Sequence, residues 1–381
     1  MRICDLLFII VCSMLFRHFY TYKHLLSRPR YETYRSLTSD AYSYHIPVMR
    51  DECCDGLNIV KDGIYVDCTL GGGGHTKAIL DRGGKVIGID QDPDAIKRTT
   101  ELLQYYILDG RLEILQTNFR YITDSLKGSK MLSEVNRNKV DGVLMDLGIS
   151  SYQIDEATRG FSFGKDGPLD MRMGKNSNSN SLTAFTIINQ WDATALANCL
   201  YEFGEEKRSR IIAREIIASR PLNTTGELEQ VISRITHWKE RSKTLARCFQ
   251  ALRIVVNDEI NALDETLNSI HTCIRPGGRL VVLSYHSLED RRIKQLMKPK
   301  TDNPDMFIDN KDTNIWSPVT KKALIPSESE VENNRRARSA KLRIAEIKDI
   351  LNTLNKSSNT GDSKKKMGAK QLAKLQKKEE L

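Results

Sequence analysis

A chain of 381 residues has room for two or three folding units, and an apolar content of 40% is enough for a buried core, so the chain is not disordered throughout. A formal charge of +9 favours a polyanionic partner, nucleic acid or an anionic membrane, and says nothing of the fold. The eight cysteines are scattered, with no CxxC pair and no His-rich pattern beside them. They read as small buried residues in a reducing compartment, and no structural metal is expected.

The two ends differ from the middle. Residues 6–16 are an apolar run too short to span a bilayer, followed by Arg17, Lys23, Arg28, Arg30 and Arg35 among Ser, Thr and Tyr. Residues 1–44 therefore read as a targeting segment for an organelle, either a plastid reached by a bipartite signal or a mitochondrion; a membrane anchor or a misassigned start is the rival reading. No stable membrane association is expected. At the other end Lys364, Lys365, Lys366, Lys370, Lys374, Lys377 and Lys378 lie in a polar background, which makes 348–381 a basic flexible tail.

From residue 63 the pattern becomes informative. A β-branched stretch ending at Asp67 leads to four glycines, Gly71 to Gly74, then His75 and a helical pattern. A second strand, 85–90, ends on Asp90. Strand, glycine loop, helix, strand and acid together make a βαβ nucleotide-binding unit. A dinucleotide fingerprint needs a third glycine three residues after the second, and here Thr76 and Lys77 occupy those places. The crowded glycines and the acid instead suit a methyltransferase, with bare backbone against the cofactor and Asp90 accepting from both ribose hydroxyls. A strand at 111–115 leads to Phe119, which has both a core reading and an adenine-flanking one.

The buried strand 140–146 ends on Asp146, so Asp67, Asp90 and Asp146 occupy three strand ends on the ligand side of a doubly wound sheet. Asp146 is the candidate to hydrogen-bond an exocyclic amine, or to bind cofactor. Between 152 and 248 the strand signals stop, and helices are expected over 181–200, 206–218 and 226–238. Arg208, Arg210, Arg214, Arg220, Arg234 and Arg241 give that region a basic face, read as a phosphate-binding surface. The sheet resumes over 277–284, followed by Tyr285, His286, Ser287, Glu289 and Asp290. His286 has a general-base reading and an orienting one. Arg335, Arg336, Arg338, Lys341 and Arg343 form a late basic cluster, with an RNA-binding and a helix-surface reading.

These segments carry a resemblance. HIPVMRDE from His45, GIYVDCTLGGGGHT from Gly63, IDQDPDAI from Ile89, VDGVLMDLGISSYQID from Val140 and RGFSFGKDGPLDMRM from Arg159 are similar to the bacterial-type ribosomal RNA small subunit methyltransferase H family (RsmH or MraW). YEFGEEKRSRIIAREI from Tyr201, RCFQALRIVVNDEI from Arg247, PGGRLVVLSYHSLEDR from Pro276 and RRARSAKLRIAE from Arg335 continue it, so it spans roughly 45–347. The resemblance implies an α/β fold, a Rossmann-like class I S-adenosylmethionine methyltransferase sheet, split into 45–151 and 249–347 by a small helical insert at 152–248. It implies N4-methylation of a cytidine in small-subunit rRNA, free or in the assembled small subunit. Carried over residue by residue, the cofactor contacts fall on Gly73, Gly74, His75, Asp90, Phe119, Asp146 and Gln153; Asp146 and His286 are the catalytic candidates. Two places depart from the family pattern: Lys243-Thr-Leu-Ala before Arg247, and Asn334-Arg335-Arg336-Ala337-Arg338. The rival readings are a non-catalytic ribosome assembly factor that keeps the fold, and a methyltransferase acting on protein or a small molecule.

Overall fold

The structure, a computed structural model, describes residues 47–174, 182–298 and 315–349. The targeting segment expected over 1–44, and all but the first two residues of the tail expected over 348–381, lie outside them. Seven strands form one sheet: β1 (Ile64–Asp67), β2 (Lys85–Asp90), β3 (Leu112–Gln116), β4 (Val140–Asp146), β5 (Ile274–Ser284), β6 (Trp316–Pro318) and β7 (Lys341–Ile347). Their spatial order is β3-β2-β1-β4-β5-β7-β6. The pairs from β3 through β5 are parallel, while β7 runs antiparallel to both β5 and β6. This is a doubly wound α/β sheet, with one antiparallel strand inserted near the edge. The central strands are near-continuous apolar runs because helices cover both faces: every residue of β1 is buried, as is β4 up to Met145.

The helices are α1 (Arg50–Leu57), α2 (Gly74–Asp81), α3 (Pro93–Leu102), α4 (Gln104–Leu108), α5 (Ile122–Lys127), α6 (Lys130–Glu134), α7 (Ser151–Asp155), α8 (Ala184–Gln190), α9 (Ala193–Glu202), α10 (Ser209–Ala218), α11 (Thr225–Arg234), α12 (Arg241–Asn257), α13 (Glu259–Ser269), α14 (Ser287–Met297) and α15 (Glu328–Asn333). One face of the sheet (Ile64, Val66, Val143, Met145, Leu280, Val282) shares a core with Ile122, Leu132, Leu263, Leu267 and Ile293 of α5, α6, α13 and α14. Helices α8 to α12 enclose a second core with Phe161, Leu169 and Met171, which includes Ile187, Leu200, Ile212, Leu228, Phe249 and Leu252.

Three local outcomes differ from the sequence reading. The stretch 181–200 is two helices, because Asp192 accepts from the N–H groups of Thr194 and Ala195, 2.8 Å each, and so starts a new helix. Helix α12 runs unbroken through position 248 to its cap Asp258, in left-handed backbone with φ 52, where α13 begins; the next strand, β5, starts at Ile274. The late basic cluster divides: Arg335, Arg336 and Arg338 are exposed on a short 3-10 helix over Arg335–Ser339, while Lys341 and Arg343 lie on β7. Leu342, Ile344, Ala345 and Ile347 of β7 are buried within the sheet, while Lys341 and Arg343 bind Asp290 and Arg336 binds Asp155. The RGFSFGKDGPLDMRM run folds as a loop whose arms touch backbone to backbone. A Cβ on Gly160 (φ 72) would sit 2.1 Å from the Pro168 carbonyl oxygen, so only glycine serves there.

Candidate active site at the carboxyl edge of the sheet

β1 pairs with β2 on one side and β4 on the other, so successive connections leave opposite faces and open a crevice beyond the strand ends. On the β2 side the backbone does most of the shaping. Asp90 accepts from the Gly71 N–H through Oδ2 and from the Asp92 N–H through Oδ1, both at 2.8 Å. Each oxygen has a second lone pair beyond those bonds. Burial pushes this carboxyl up to about 6, against the pull of the two backbone N–H groups. Asp67 serves differently. It is buried and accepts from the Thr69 N–H (3.1 Å) and the Thr76 hydroxyl (2.7 Å), so it braces the glycine loop from within.

The predicted glycines divide by what surrounds them. Gly73 (φ 75) ends the loop as the N-cap of α2, and a Cβ there would lie 2.8 Å from Thr99 Cγ2; one on Gly74 would lie 2.7 Å from Pro47 Cγ. A Cβ on Gly72 would meet nothing within 4 Å, so it is Gly72 that looks onto open space. The first bond of α2 is from the Lys77 N–H to the Gly73 carbonyl, 2.8 Å, so the N–H groups of Gly74, His75 and Thr76 precede the helical ladder. His75 is buried and neither ring nitrogen has an aligned hydrogen-bond partner, although Nε2 lies 3.4 Å from Asp146 Oδ2. Burial pushes its imidazole down, but Asp146 and then Asp67 outweigh that and hold it above its ordinary value.

On the β4 side the residues come from far apart. Asp146 donates its backbone N–H to Thr69 Oγ1 (2.7 Å), and its Oδ1 accepts from the Tyr285 hydroxyl (2.7 Å). The Tyr285 N–H donates to Glu289 Oε2 at 2.8 Å. His286, predicted as a catalytic candidate, lies with Nε2 3.0 Å from Glu289 Oε1 in the first turn of its own helix. It is therefore Tyr285 that touches Asp146. Burial pushes Glu289 up, but the hydrogen bond and charge of His286, with Arg253, hold it below its usual range.

Two carried-over residues take structural partners. Phe119 opens a short 3-10 turn and packs partly buried against the sheet core. Gln153 caps α7 by accepting from the Ser150 N–H (3.0 Å), and its amide donates to Asp92 Oδ2 (2.8 Å). The same oxygen takes a bond from buried Arg159 (2.8 Å), which also donates to the carbonyls of Arg172 (3.1 Å) and Met173 (2.7 Å). Arg159 thus ties the Asp90–Asp92 turn to the following loop; its place in the sequence signals neither burial nor partner. Among the insert arginines, Arg220 donates to the Ile188 and Trp191 carbonyls at the end of α8, so it is a helix cap and not part of the basic face. Arg208 donates to the Ile235 carbonyl (2.6 Å), and Arg210, Arg214, Arg234 and Arg241 are exposed. Among the described residues no group of three or more His, Cys, Asp or Glu is placed to hold a metal ion.

The MraW methylase family model matches residues 42–348. Ribosomal RNA small subunit methyltransferase H of Bacteroides thetaiotaomicron is 42% identical over 327 residues, covering 82% of this chain and all of the relative. The protein of the same name from Brevibacillus brevis is 43% identical over 319 residues (80% of this chain, 98% of the relative). That from Clostridium botulinum (strain Kyoto / Type A2) is 44% identical over 314 residues (79% and 97%). The chain belongs to the MraW methylase family.

Proposed function

We propose that this methylase transfers a methyl group from S-adenosylmethionine to the N4 amine of a cytidine in small-subunit ribosomal RNA. The observation that carries the reading is two carboxylates on one crevice with different bonding. Asp90 is held only by backbone N–H groups, while Asp146 has Oδ1 held by the Tyr285 hydroxyl and Oδ2 facing His75 Nε2 at 3.4 Å. The residues fit the cofactor. The second lone pairs of Asp90 suit vicinal ribose hydroxyls, and Gly72 leaves the space a side chain would fill. The unladdered N–H groups at the start of α2 and the buried His75 ring, whose Nδ1 has no hydrogen-bond partner, suit its carboxylate. The names and full-length coverage of the relatives, with the exposed arginines of the insert, support an RNA substrate, free or within the small subunit.

When bound, the cofactor supplies a methyl group activated by a sulfonium: the cytosine N4 lone pair forms the new N–C bond while the C–S pair goes to sulfur. The chain's own task is orientation. A cytosine amine is a weak nucleophile because its lone pair is delocalised into the ring. Asp146 Oδ2 accepts one amine N–H, turning the lone pair out of conjugation, and takes the proton that N4 sheds. Labelled S-adenosylmethionine incubated with unmodified small subunits, and separately with naked small-subunit rRNA, tests this after nucleoside analysis. Label in N4-methylcytidine is expected. Cofactor binding without transfer to either RNA would contradict the proposal and favour an assembly factor that keeps the fold.

A further inference from the structure

Tyr285 follows β5, whose Leu283 is in register with Asp146 of the neighbouring β4. Two residues beyond Leu283, its side chain returns to the side of the sheet on which Asp146 ends. The residue is fixed at both ends. Its N–H donates to Glu289, 4% exposed, and its hydroxyl donates to Asp146 Oδ1. Burial, reinforced by the Asp146 charge, pushes the phenol well above its ordinary value, so it remains a donor. The Asp146 backbone is pinned separately by Thr69 Oγ1. What the backbone does not fix is the carboxylate's own rotation, which is broad and roughly two-fold in an aspartate. Without a partner on Oδ1, only the longer His75 contact on Oδ2, 3.4 Å, would distinguish its two oxygens.

We infer that Tyr285 is a positioning residue for methyl transfer: by occupying Oδ1 it fixes the Asp146 carboxylate so that Oδ2 alone faces the target amine. This rests on the reading of Asp146 as the acceptor of the amine proton. The phenol does not contact the base and takes no proton; its effect passes wholly through Asp146, and Glu289 in turn fixes the backbone from which it reaches. Glu289 is thereby assigned a role beyond capping α14, which explains a buried carboxylate bound to two residues of this loop.

The test uses the full chain with labelled S-adenosylmethionine and unmodified small subunits, comparing wild type, Tyr285→Phe, Asp146→Asn and the double variant. Phenylalanine keeps the ring and removes only the oxygen, and asparagine keeps an acceptor for the phenol, so both are expected to fold; thermal unfolding and cofactor Kd verify it. Tyr285→Phe is expected to lower kcat by about ten- to a hundredfold, the scale of a modest misplacement of reacting groups. Its KM for RNA and Kd for cofactor should stay within about twofold, and the substitution should have no further effect in the Asp146→Asn background. Losses that multiply in the double variant, an unchanged kcat, or a loss confined to the KM for RNA would each overturn the inference, the last by showing a contact with the base. A wild-type chain that labels no RNA would instead overturn the function on which the inference rests.

Discussion

Asp90 and Asp146 end two strands separated only by β1, yet they are held in opposite ways. Asp90 takes both bonds from backbone N–H groups at most 19 residues away. Asp146 is set by side chains, Thr69 at 77 residues and Tyr285 at 139. A carboxylate fixed by main chain keeps its geometry whatever the neighbouring side chains are, which suits an invariant ligand such as a ribose. One fixed by side chains is adjustable, which suits a group whose orientation sets a rate. On the function proposed above, the β2 side is the one that holds the cofactor and the β4 side the one that performs the chemistry.

The largest expected effect is on the chemical side. Asp146→Ala should lower kcat about a thousandfold, within the roughly 10²–10⁴ range for general acid–base groups, measured as single-turnover transfer at saturating cofactor. Asp90→Ala should raise the cofactor Kd by at least about a hundredfold, since two hydrogen bonds to a charged group contribute roughly 1.5–3 kcal/mol each; calorimetric titration reads it directly.

The holding side should also carry a pH dependence. Burial raises the Asp90 carboxyl to about 6 in the cofactor-free protein. Ribose hydroxyls donate to the ionised form, so protonation competes with binding. Affinity should be full above pH 7 and fall as pH drops through 6, becoming about tenfold weaker at pH 5 because a tenth of the carboxyl is then ionised. Asp90→Asn should flatten that profile.

The smallest effects separate two insert arginines. Arg214→Ala should weaken RNA binding a few-fold and reduce the salt slope by about one, leaving unfolding unchanged. Arg220→Ala should leave RNA affinity alone and cost about 1–3 kcal/mol in urea unfolding, because two carbonyls at the end of α8 lose their donor.

The sequence was most legible where the structure is local. β2 and β4 end on the residues read from their apolar runs, and the glycine loop does lead to Asp90, because strand, turn and acid lie within a short span. The role of Gly72 was not legible: four glycines in a row do not say which faces open space. The Tyr285–Asp146 contact depends on how β5 pairs with β4, and no local pattern encodes a bond across 139 residues. Arg220 was assigned to the wrong surface for a related reason: charge is visible in a sequence, but the helix end that consumes it is not. β7 was missed although Lys341 and Arg343 alternate with buried Leu342 and Ile344 as a strand requires, because the segment is read by its charge and the partners β5 and β6 that bury it are not local.

The most direct test of the division between holding and chemistry is a paired measurement of cofactor Kd and single-turnover methyl transfer for Asp90→Ala and Asp146→Ala. Asp90→Ala should bind weakly but transfer at near wild-type rate once cofactor is raised to saturation. Asp146→Ala should bind cofactor within a few-fold of wild type and transfer almost nothing. An Asp146→Ala chain that regains full transfer at high cofactor would contradict the account, making Asp146 a second holding group and leaving the amine without the acceptor assigned here.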